Sequence, residues 1–314
     1  MKRFKNILFF ADGSTHTTWA LERAILLART NGARLTVLDV ISDSQTPDAI
    51  PRRFRSDLYT ILRDRLQQQL DELVAGFREG IEELIYTRVA TGIDFVEVIR
   101  AVLRNGHDLV MKAARPPEGF SEHLLGSTDL HLLRKCPCPV WIDRPSVTHP
   151  YRNILAAVNP AEDEFNGCSR LVMELASSLA SSESAQLSVI HAWQMHGEST
   201  LRNGRGRISE KELDLLIDMT HRKHREQFDA LLEACGLASD AEHVYLERGP
   251  AAASIRDLSL KLDVDLLVMG TVGRTGIPGF FIGNTAENLL QTTSASILAV
   301  KPRDFISPVT PGSS

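Results

Sequence analysis

The chain lacks the features that mark several large classes of protein. Its 314 residues carry a formal net charge of −5, which gives no electrostatic reason to expect binding to nucleic acid or to a membrane surface. No apolar stretch approaches the roughly 20 residues of a membrane span, and the apolar run near the N-terminus is too short for the core of a signal peptide. We therefore expect a cytoplasmic protein with no membrane span and no nucleic-acid partner.

Cysteine is scarce, with four in the whole chain. The only close pair in the sequence, Cys136 and Cys138, is separated by one residue, which is shorter than the usual two-residue spacing of metal and redox motifs. We interpret the pair as small side chains that lead into a buried strand over 139–142. A disulfide framework is not expected.

Motifs for catalysis are missing as well. The sequence contains no paired carboxylates, no clear metal-ligand set and no Ser-Gly-Gly-x-Asp loop, so no side chain stands out as a general base or nucleophile. Glu162 and Asp163 follow an apolar run and could hold Mg²⁺, but a solvated loop is the favoured interpretation. No catalytic or metal-binding residue is therefore predicted.

What the chain does contain is a glycine-rich loop at residues 265–287. An apolar run from Leu266 to Met269 precedes the loop, and Gly283 opens a helical segment after it. The glycines between them are spaced three residues apart: Gly270, Gly273, Gly276 and Gly279. A strand, a glycine loop and a helix start form a phosphate-binding arrangement, because free N–H groups and the helix dipole converge on one point. The Gly-Lys-Ser/Thr ending of a Walker A loop is missing.

The second feature is an internal repeat. Asp108 through Leu133 aligns without a gap on Asp265 through Leu290, and Lys5–Ser14 recurs as Arg152–Ala161. Repetition over half a chain indicates duplicated domains rather than a solenoid. The predicted division is a first half at 1–145, a linker at 146–151, a second half at 152–305 and a flexible tail at 306–314.

Within each half, apolar runs alternate with helical periodicity. This pattern predicts an α/β fold of two tandem doubly wound domains, each a Rossmann-like five-stranded parallel sheet with helices on both faces. The predicted strands are Ile7–Ala11, Leu35–Ile41, Tyr86–Ala90, Asp108–Lys112, Val140–Asp143, Ile154–Val158, Leu187–Ala192, Glu242–Glu247, Leu266–Met269 and Ile297–Val300. Ligands of such sheets bind beyond the carboxyl ends of the strands. Asn159, His191 and Gly270 follow or end strands, so we expect them near a ligand.

Together these residues resemble the universal stress protein family. The resemblance rests on a strand that ends in Asp or Asn, the Gly249-Pro-Ala sequence before a helix, Val-Met-Gly-x-x-Gly-Arg-x-Gly over 268–276, and Gly283-Asn-Thr-Ala-Glu287. It covers residues 3–303, and the duplication is similar to that of tandem family members. The resemblance implies pairing of the two halves through their final strands, Val140–Asp143 and Ile297–Val300, within one chain.

The ligand that this resemblance implies is ATP or a related adenine nucleotide, with or without Mg²⁺. Carried onto this sequence, the nucleotide-binding residues are Asn159, Gly270, Gly273, Arg274, Gly276, Gly283, Asn284 and Thr285. Two of them depart from the family pattern: Asn284 replaces Ser or Thr, and Asn159 replaces the strand-end acid. The alternative is a degenerate site whose glycines only shape a tight loop.

The first half keeps the strand-end acid, Asp12, and the helix start Gly126-Ser127-Thr128, but it loses the glycine loop. Ala113 stands opposite Gly270, and Pro116 stands opposite Gly273. Alanine restricts close approach and proline has no N–H group, so no ATP is expected in this half. A different small or apolar ligand, or none, is expected there. Three residues that could contact an anion are interpreted instead as a solvated loop: Lys112, Arg115 and His123.

The favoured function is therefore that of a cytoplasmic stress-response protein. We expect it to bind ATP in the second half only and to act as a nucleotide-dependent regulator rather than a fast catalyst. The competing interpretation is a slow ATP-hydrolysing or nucleotidyl-transferring enzyme on the same fold.

Overall fold

The structure is a computed structural model, and it describes residues 4–12, 17–42, 52–77, 83–114, 125–145, 150–161, 167–203, 208–271 and 283–312. These residues form ten strands and nine helices. The strands are β1 Asn6–Phe10, β2 Arg34–Ser42, β3 Ile85–Gly92, β4 Leu109–Ala113, β5 Val140–Asp143, β6 Asn153–Ala157, β7 Gln186–Trp193, β8 Val244–Arg248, β9 Leu266–Gly270 and β10 Ser296–Val300. The helices are α1 Thr18–Asn31, α2 Arg52–Ala75, α3 Asp94–Asn105, α4 Ser127–Lys135, α5 Cys168–Glu183, α6 Glu198–Asn203, α7 Glu210–Ala234, α8 Ala251–Lys261 and α9 Asn284–Thr292.

All ten strands join one sheet in the order β3-β2-β1-β4-β5-β10-β9-β6-β7-β8. Within each half every neighbouring pair is parallel, and the halves meet where β5 and β10 pair antiparallel with Trp141 opposite Leu298. Each predicted strand is present within two residues of its expected bounds. The predicted fold and the pairing through the final strands are confirmed.

Hydrophobic residues cover both faces of the sheet. Alternate residues of β1 point to opposite faces, so Ile7 and Phe9 join the core cluster under α1, α2, α5 and α7. Leu8 and Phe10 join the cluster under α3, α4, α8 and α9. A sheet buried on both faces needs near-continuous apolar strands, which explains why the sequence showed runs rather than alternation.

Two basic residues tie the halves together at the central pair of strands. Arg144, directly after β5, donates from Nε to the carbonyl of Ala295 at 3.1 Å. Lys301, directly after β10, donates from Nζ to the carbonyl of Leu133, in the last turn of α4. Cations near the carbonyl ends of helices stabilise those ends. Each half therefore supplies a cation beside the last helix of the other.

The end of the chain packs against the first half. The sequence predicts a flexible tail from residue 306, and residues 306–312 form no helix or strand. Val309 nevertheless packs against the core cluster under α3, and the backbone at Gly312 lies beside the guanidinium groups of Arg100 and Arg104. Burial of an apolar side chain is favourable, which accounts for the contact of Val309 with this cluster.

Candidate functional site

A cavity of about 170 Å³ lies at the carboxyl ends of β6, β7 and β9 in the second half. The first turns of α5, α8 and α9 form its other walls. We call it the second-half cavity, and it occupies the position where doubly wound sheets bind ligands. Its lining residues are Ala157, Val158, Asn159, Cys168, Ser169, Val172, Ala192, Ala251, Ile255, Met269, Gly270, Thr271, Gly283, Thr285 and Ala286.

One wall of the second-half cavity is the start of α9. The N–H of Gly283 donates to the carbonyl of Thr271 at 3.1 Å, which fixes the helix start to the end of β9. The N–H groups of residues 284–286 belong to the first turn and have no acceptor within the helix. Unsatisfied N–H groups and the positive end of the helix dipole favour an anion at this wall.

The structure brings four of the predicted nucleotide-binding residues together around the cavity: Asn159, Gly270, Gly283 and Thr285. Asn284 is the first residue of α9. The predictions for Gly273, Arg274 and Gly276 lie outside the described residues, as do those for Pro116, Arg115 and His123.

Gly270 is glycine because of a close approach rather than an unusual backbone angle. A Cβ atom at this position would lie 2.9 Å from Sγ of Cys168, the first residue of α5. Real Cβ atoms do not come so close to a buried sulfur, so any side chain here displaces Cys168. Because Cys168 also lines the cavity, a larger residue at 270 would change the cavity wall.

The first half fills the equivalent space with its own charged side chains. Nζ of Lys112 lies 2.7 Å from a carboxylate oxygen of Asp12 and 3.0 Å from one of Asp129. All three side chains are at most 3% exposed. We call them the Lys112 triad. Lys112 was expected in a solvated loop or on a bound anion; this is wrong, because the internal ion pairs compensate its burial at the end of β4.

Asp129 also occupies the helix start that a phosphate would need. It is the third residue of α4, and its carboxylate accepts the N–H of Gly126 at 3.1 Å. A carboxylate at a helix N-terminus satisfies the same N–H groups and dipole that attract a phosphate. The first half therefore carries its own anion at this position.

The two repeated segments, 5–14 with 152–161 and 108–133 with 265–290, pair the two sites position by position. Asp12, Lys112 and Asp129 of the first half stand opposite Asn159, Met269 and Ala286 of the second. Met269 and Ala286 line an open cavity in the second half. The Lys112 triad occupies the equivalent space in the first half. Met269 and Ala286 are not among the predicted site residues, although their alignment with Lys112 and Asp129 was a signal for them in the sequence.

His191 is a residue of β7 and precedes Ala192, which lines the second-half cavity. Nδ1–H of this buried side chain donates to the carbonyl of Val158 at 3.2 Å, and Nε2 accepts from Nδ1–H of His224 at 2.9 Å. Burial, and secondarily the neighbouring His224, lower the pKa of His191 from 6.5 to about 4. The imidazole is therefore neutral at pH 7, and it supports the strand end that carries Asn159.

This lowered pKa predicts a loss of stability in mild acid. The unfolded chain takes up a proton at His191 near pH 6.5, whereas the folded chain resists it down to about pH 4. The contribution is complete above pH 6.5 and declines by about 3 kcal/mol as the pH falls to 4. Urea unfolding at pH 7 and pH 4.5 should show a smaller acid-induced fall in His191→Gln than in wild type. His196→Gln, at an exposed histidine, is the control; an equal fall in His191→Gln and wild type would contradict the assignment.

Other kinds of site are not found in the part of the chain that the structure describes. Those residues contain no group of three or more His, Cys, Asp or Glu side chains that could hold a metal ion. Glu162 and Asp163 fall outside them. No described helix has the length and apolar content needed to cross a membrane. All four cysteines are free thiols.

The comparisons with known proteins agree with this architecture. A family model described as the universal stress protein family matches residues 3–144 and again 150–301. Universal stress protein E of Escherichia coli K12 is 28% identical, over 98% of both chains. The segments 106–114 and 132–141 resemble that protein in sequence, and the match over nearly the whole chain confirms the resemblance.

Two solved structures are similar over nearly the whole chain. A functionally unknown protein from Pseudomonas aeruginosa PAO1 aligns with a TM-score of 0.72 at 26% identity, covering 97% of this chain and 95% of that one. A universal stress protein from Archaeoglobus fulgidus aligns with a TM-score of 0.65 at 20% identity, covering 96% and 99%. The second likeness concerns the fold alone.

Proposed function

This chain belongs to the universal stress protein family, and from that premise we propose that its second half binds ATP or a related adenine nucleotide while its first half does not. The protein then acts as a nucleotide-dependent regulator in the cytoplasmic stress response. Four free thiols fit a reducing compartment.

One observation carries the proposal: two equivalent sites in one molecule differ in what fills them. In the second half, Met269 and Ala286 line an open cavity beside an uncapped helix start. In the first half, Lys112 and Asp129 fill that space and satisfy the helix start. A nucleotide phosphate entering the first half would meet a buried carboxylate, which repels it.

The second-half cavity matches the parts of a nucleotide. The N–H groups at the start of α9 and the hydroxyl of Thr285 are donors for phosphate oxygens. The apolar wall formed by Ala192, Ala251 and Ile255 suits the adenine ring. Asn159 at the end of β6 faces the ribose or the base. Gly273, Arg274, Gly276 and Asn284 complete the phosphate contacts in this proposal, with or without Mg²⁺.

A regulatory role is favoured over fast catalysis. Among the described residues, those that line the cavity include no carboxylate, imidazole or ammonium group. Rapid phosphoryl or nucleotidyl transfer requires a group that orients the nucleophile and cations that stabilise the transition state. Slow hydrolysis of bound ATP is compatible with the proposal but is not its function.

The test is a calorimetric titration of the intact chain with ATP and Mg²⁺. We expect Gly270→Val to weaken ATP binding at least about 100-fold, or about 2.7 kcal/mol. The new side chain must displace Cys168, which is part of the cavity wall. Circular dichroism and thermal melting confirm that the variant is folded.

Ala113→Val is the matched control, since Ala113 is the equivalent residue of the first half. It should leave ATP affinity within about twofold of wild type. If instead Ala113→Val abolished binding and Gly270→Val did not, the nucleotide would lie in the first half and the proposal would be wrong.

A further inference from the structure

Lys301 is a buried cation beside the second-half cavity. It follows β10 directly and is 5% exposed. Nζ donates to the hydroxyl oxygen of Thr271 at 2.8 Å and to the carbonyl of Leu133, and it lies 4.9 Å from the ring centre of Phe305. These contacts include two hydrogen bonds and one aromatic ring, but none of them is an anion that neutralises the charge. A buried ammonium normally has an anionic partner, because removing it from water costs several kcal/mol.

No carboxylate pairs with Lys301 within the described ranges of the chain. The ionisable groups that act on it are thiols, those of Cys136 and Cys138 near the end of α4 and of Cys168 at the start of α5. Burial lowers the pKa of Lys301 to about 8, which is the direction expected for a cation without a compensating anion. The positive charge is therefore held in place but left unbalanced.

The first half has a carboxylate whose charge acts on the equivalent cation. Arg144 occupies the equivalent position after β5, and burial lowers its pKa while the negative charge of Asp129 opposes that shift. Asp129 is the carboxylate at the start of α4, and its equivalent in the second half is Ala286. The second half has thus kept the cation that follows its last strand, while Met269 and Ala286 replace both members of the Lys112–Asp129 pair. The space where the anion would lie is the wall of the cavity at α9.

Thr271 connects the buried cation to this space. Thr271 lines the cavity, and its hydroxyl oxygen accepts the hydrogen bond from Lys301. Its own hydroxyl proton is donated to the carbonyl of Val300 at 3.5 Å, a long hydrogen bond that an anion in the cavity could replace. A hydroxyl that accepts from an ammonium is a stronger donor, so Thr271 is prepared to donate to an anion in the cavity.

We propose that Lys301 is a positioning residue for the phosphate groups of the ligand, supplying their counter-charge from behind Thr271 and orienting its hydroxyl toward them. The inference rests on the proposed function and deepens it. Lys301 does not touch the ligand, so its effect depends on ligand charge. It should favour nucleotides and polyphosphates over the uncharged nucleoside, and this discrimination separates it from a structural lysine.

The experiment is calorimetric titration of the full chain with three probes: ATP, adenosine and inorganic triphosphate. Lys301→Met should weaken ATP and triphosphate binding about 30-fold and leave adenosine affinity within about twofold. Lys301→Arg should restore most of the loss, because it keeps the charge. Thr271→Val should also weaken ATP selectively, and it provides a second variant if Lys301→Met unfolds.

A pH series adds an independent readout. Because Lys301 loses its charge near pH 8, ATP affinity of the wild type should fall between pH 7 and pH 9. Lys301→Arg should fall less over this range, since arginine stays protonated while Cys136, Cys138 and Cys168 remain as in wild type. An identical fall in both proteins would assign the titration to the thiols and count against Lys301.

The outcomes separate the two claims. Equal losses of ATP and adenosine in Lys301→Met, or no loss of either, would overturn the role of Lys301 while leaving nucleotide binding intact. A wild type that binds triphosphate but not ATP, with that binding lost in Lys301→Met, would support Lys301 and overturn the proposed nucleotide. A wild type that binds none of the three probes would overturn both.

Discussion

The Ala286→Asp variant is expected to bind ATP at least about 100-fold more weakly than the wild-type chain. Ala286 is buried at the third position of α9, where the first half has Asp129. A carboxylate there would lie beside the N–H groups of the first turn of α9, at the position that Asp129 has in α4. It would also repel a phosphate by about 4 kcal/mol for two charges 4 Å apart in a partly screened site. The measurement is calorimetric titration at pH 7.

Ala286→Asn is the matched control for this variant. Asparagine has nearly the same shape but no charge, so it should reduce affinity by less than about tenfold through crowding alone. Thermal melting without nucleotide should show both variants folded, since Asp and Asn are tolerated near helix starts. Wild-type affinity in Ala286→Asp would mean that the phosphate does not lie at the start of α9.

The Lys112→Met variant is expected to lose about 3–5 kcal/mol of the free energy of unfolding. The change leaves two buried carboxylates, Asp12 and Asp129, without the cation that lies within 3.0 Å of both. Removing one partner of a buried ionic group is far more costly than replacing the whole group with apolar residues. Urea unfolding at pH 7 measures the loss.

The matched rescue carries the second-half residues into the first half. Asp12→Asn, Lys112→Met and Asp129→Ala together reproduce Asn159, Met269 and Ala286, and they should return most of the lost stability. This triple variant should still not bind ATP in the first half, because Ala113 and Pro116 remain. A Lys112→Met variant as stable as wild type would show that the triad contributes no net ionic stabilisation.

Most of the fold could be predicted from the sequence. Each strand is a short apolar run bounded by polar or turn residues, and local composition alone identifies such runs. The repeat supplied the division into halves, and the resemblance supplied the pairing of β5 with β10, while the antiparallel direction of that pair comes from the structure. These features depend on neighbours along the chain or on an alignment of the chain with itself.

Less of the candidate site could be predicted from the sequence. Lys112 was misjudged because a lysine at a strand end is usually solvated, and its burial depends on Asp12 and Asp129, which lie 100 and 17 residues away in the sequence. Lys301 and Thr271 were missed for a similar reason. They meet only because β9 and β10 are neighbours in the sheet. Ion pairs between distant residues leave no local pattern.

The two halves illustrate how a duplicated site can diverge. In the first half the cation of Lys112 and the carboxylates of Asp12 and Asp129 lie at the position equivalent to the second-half cavity. In the second half the carboxylate has been replaced by Ala286 while the cation behind the site, Lys301, is retained. Three of the aligned pairs that differ, Asp12 and Asn159, Lys112 and Met269, and Asp129 and Ala286, are open to direct exchange by mutation.

The most direct measurement is the number of nucleotides bound per chain at saturation. Equilibrium dialysis of the wild-type protein against labelled ATP with Mg²⁺, at concentrations well above the dissociation constant, gives this number without any substitution. We expect one ATP per chain, displaced by ADP and lost in Ala286→Asp. Two ATP per chain, or one that persists in Ala286→Asp and disappears in a first-half variant, would contradict nucleotide binding by the second half alone.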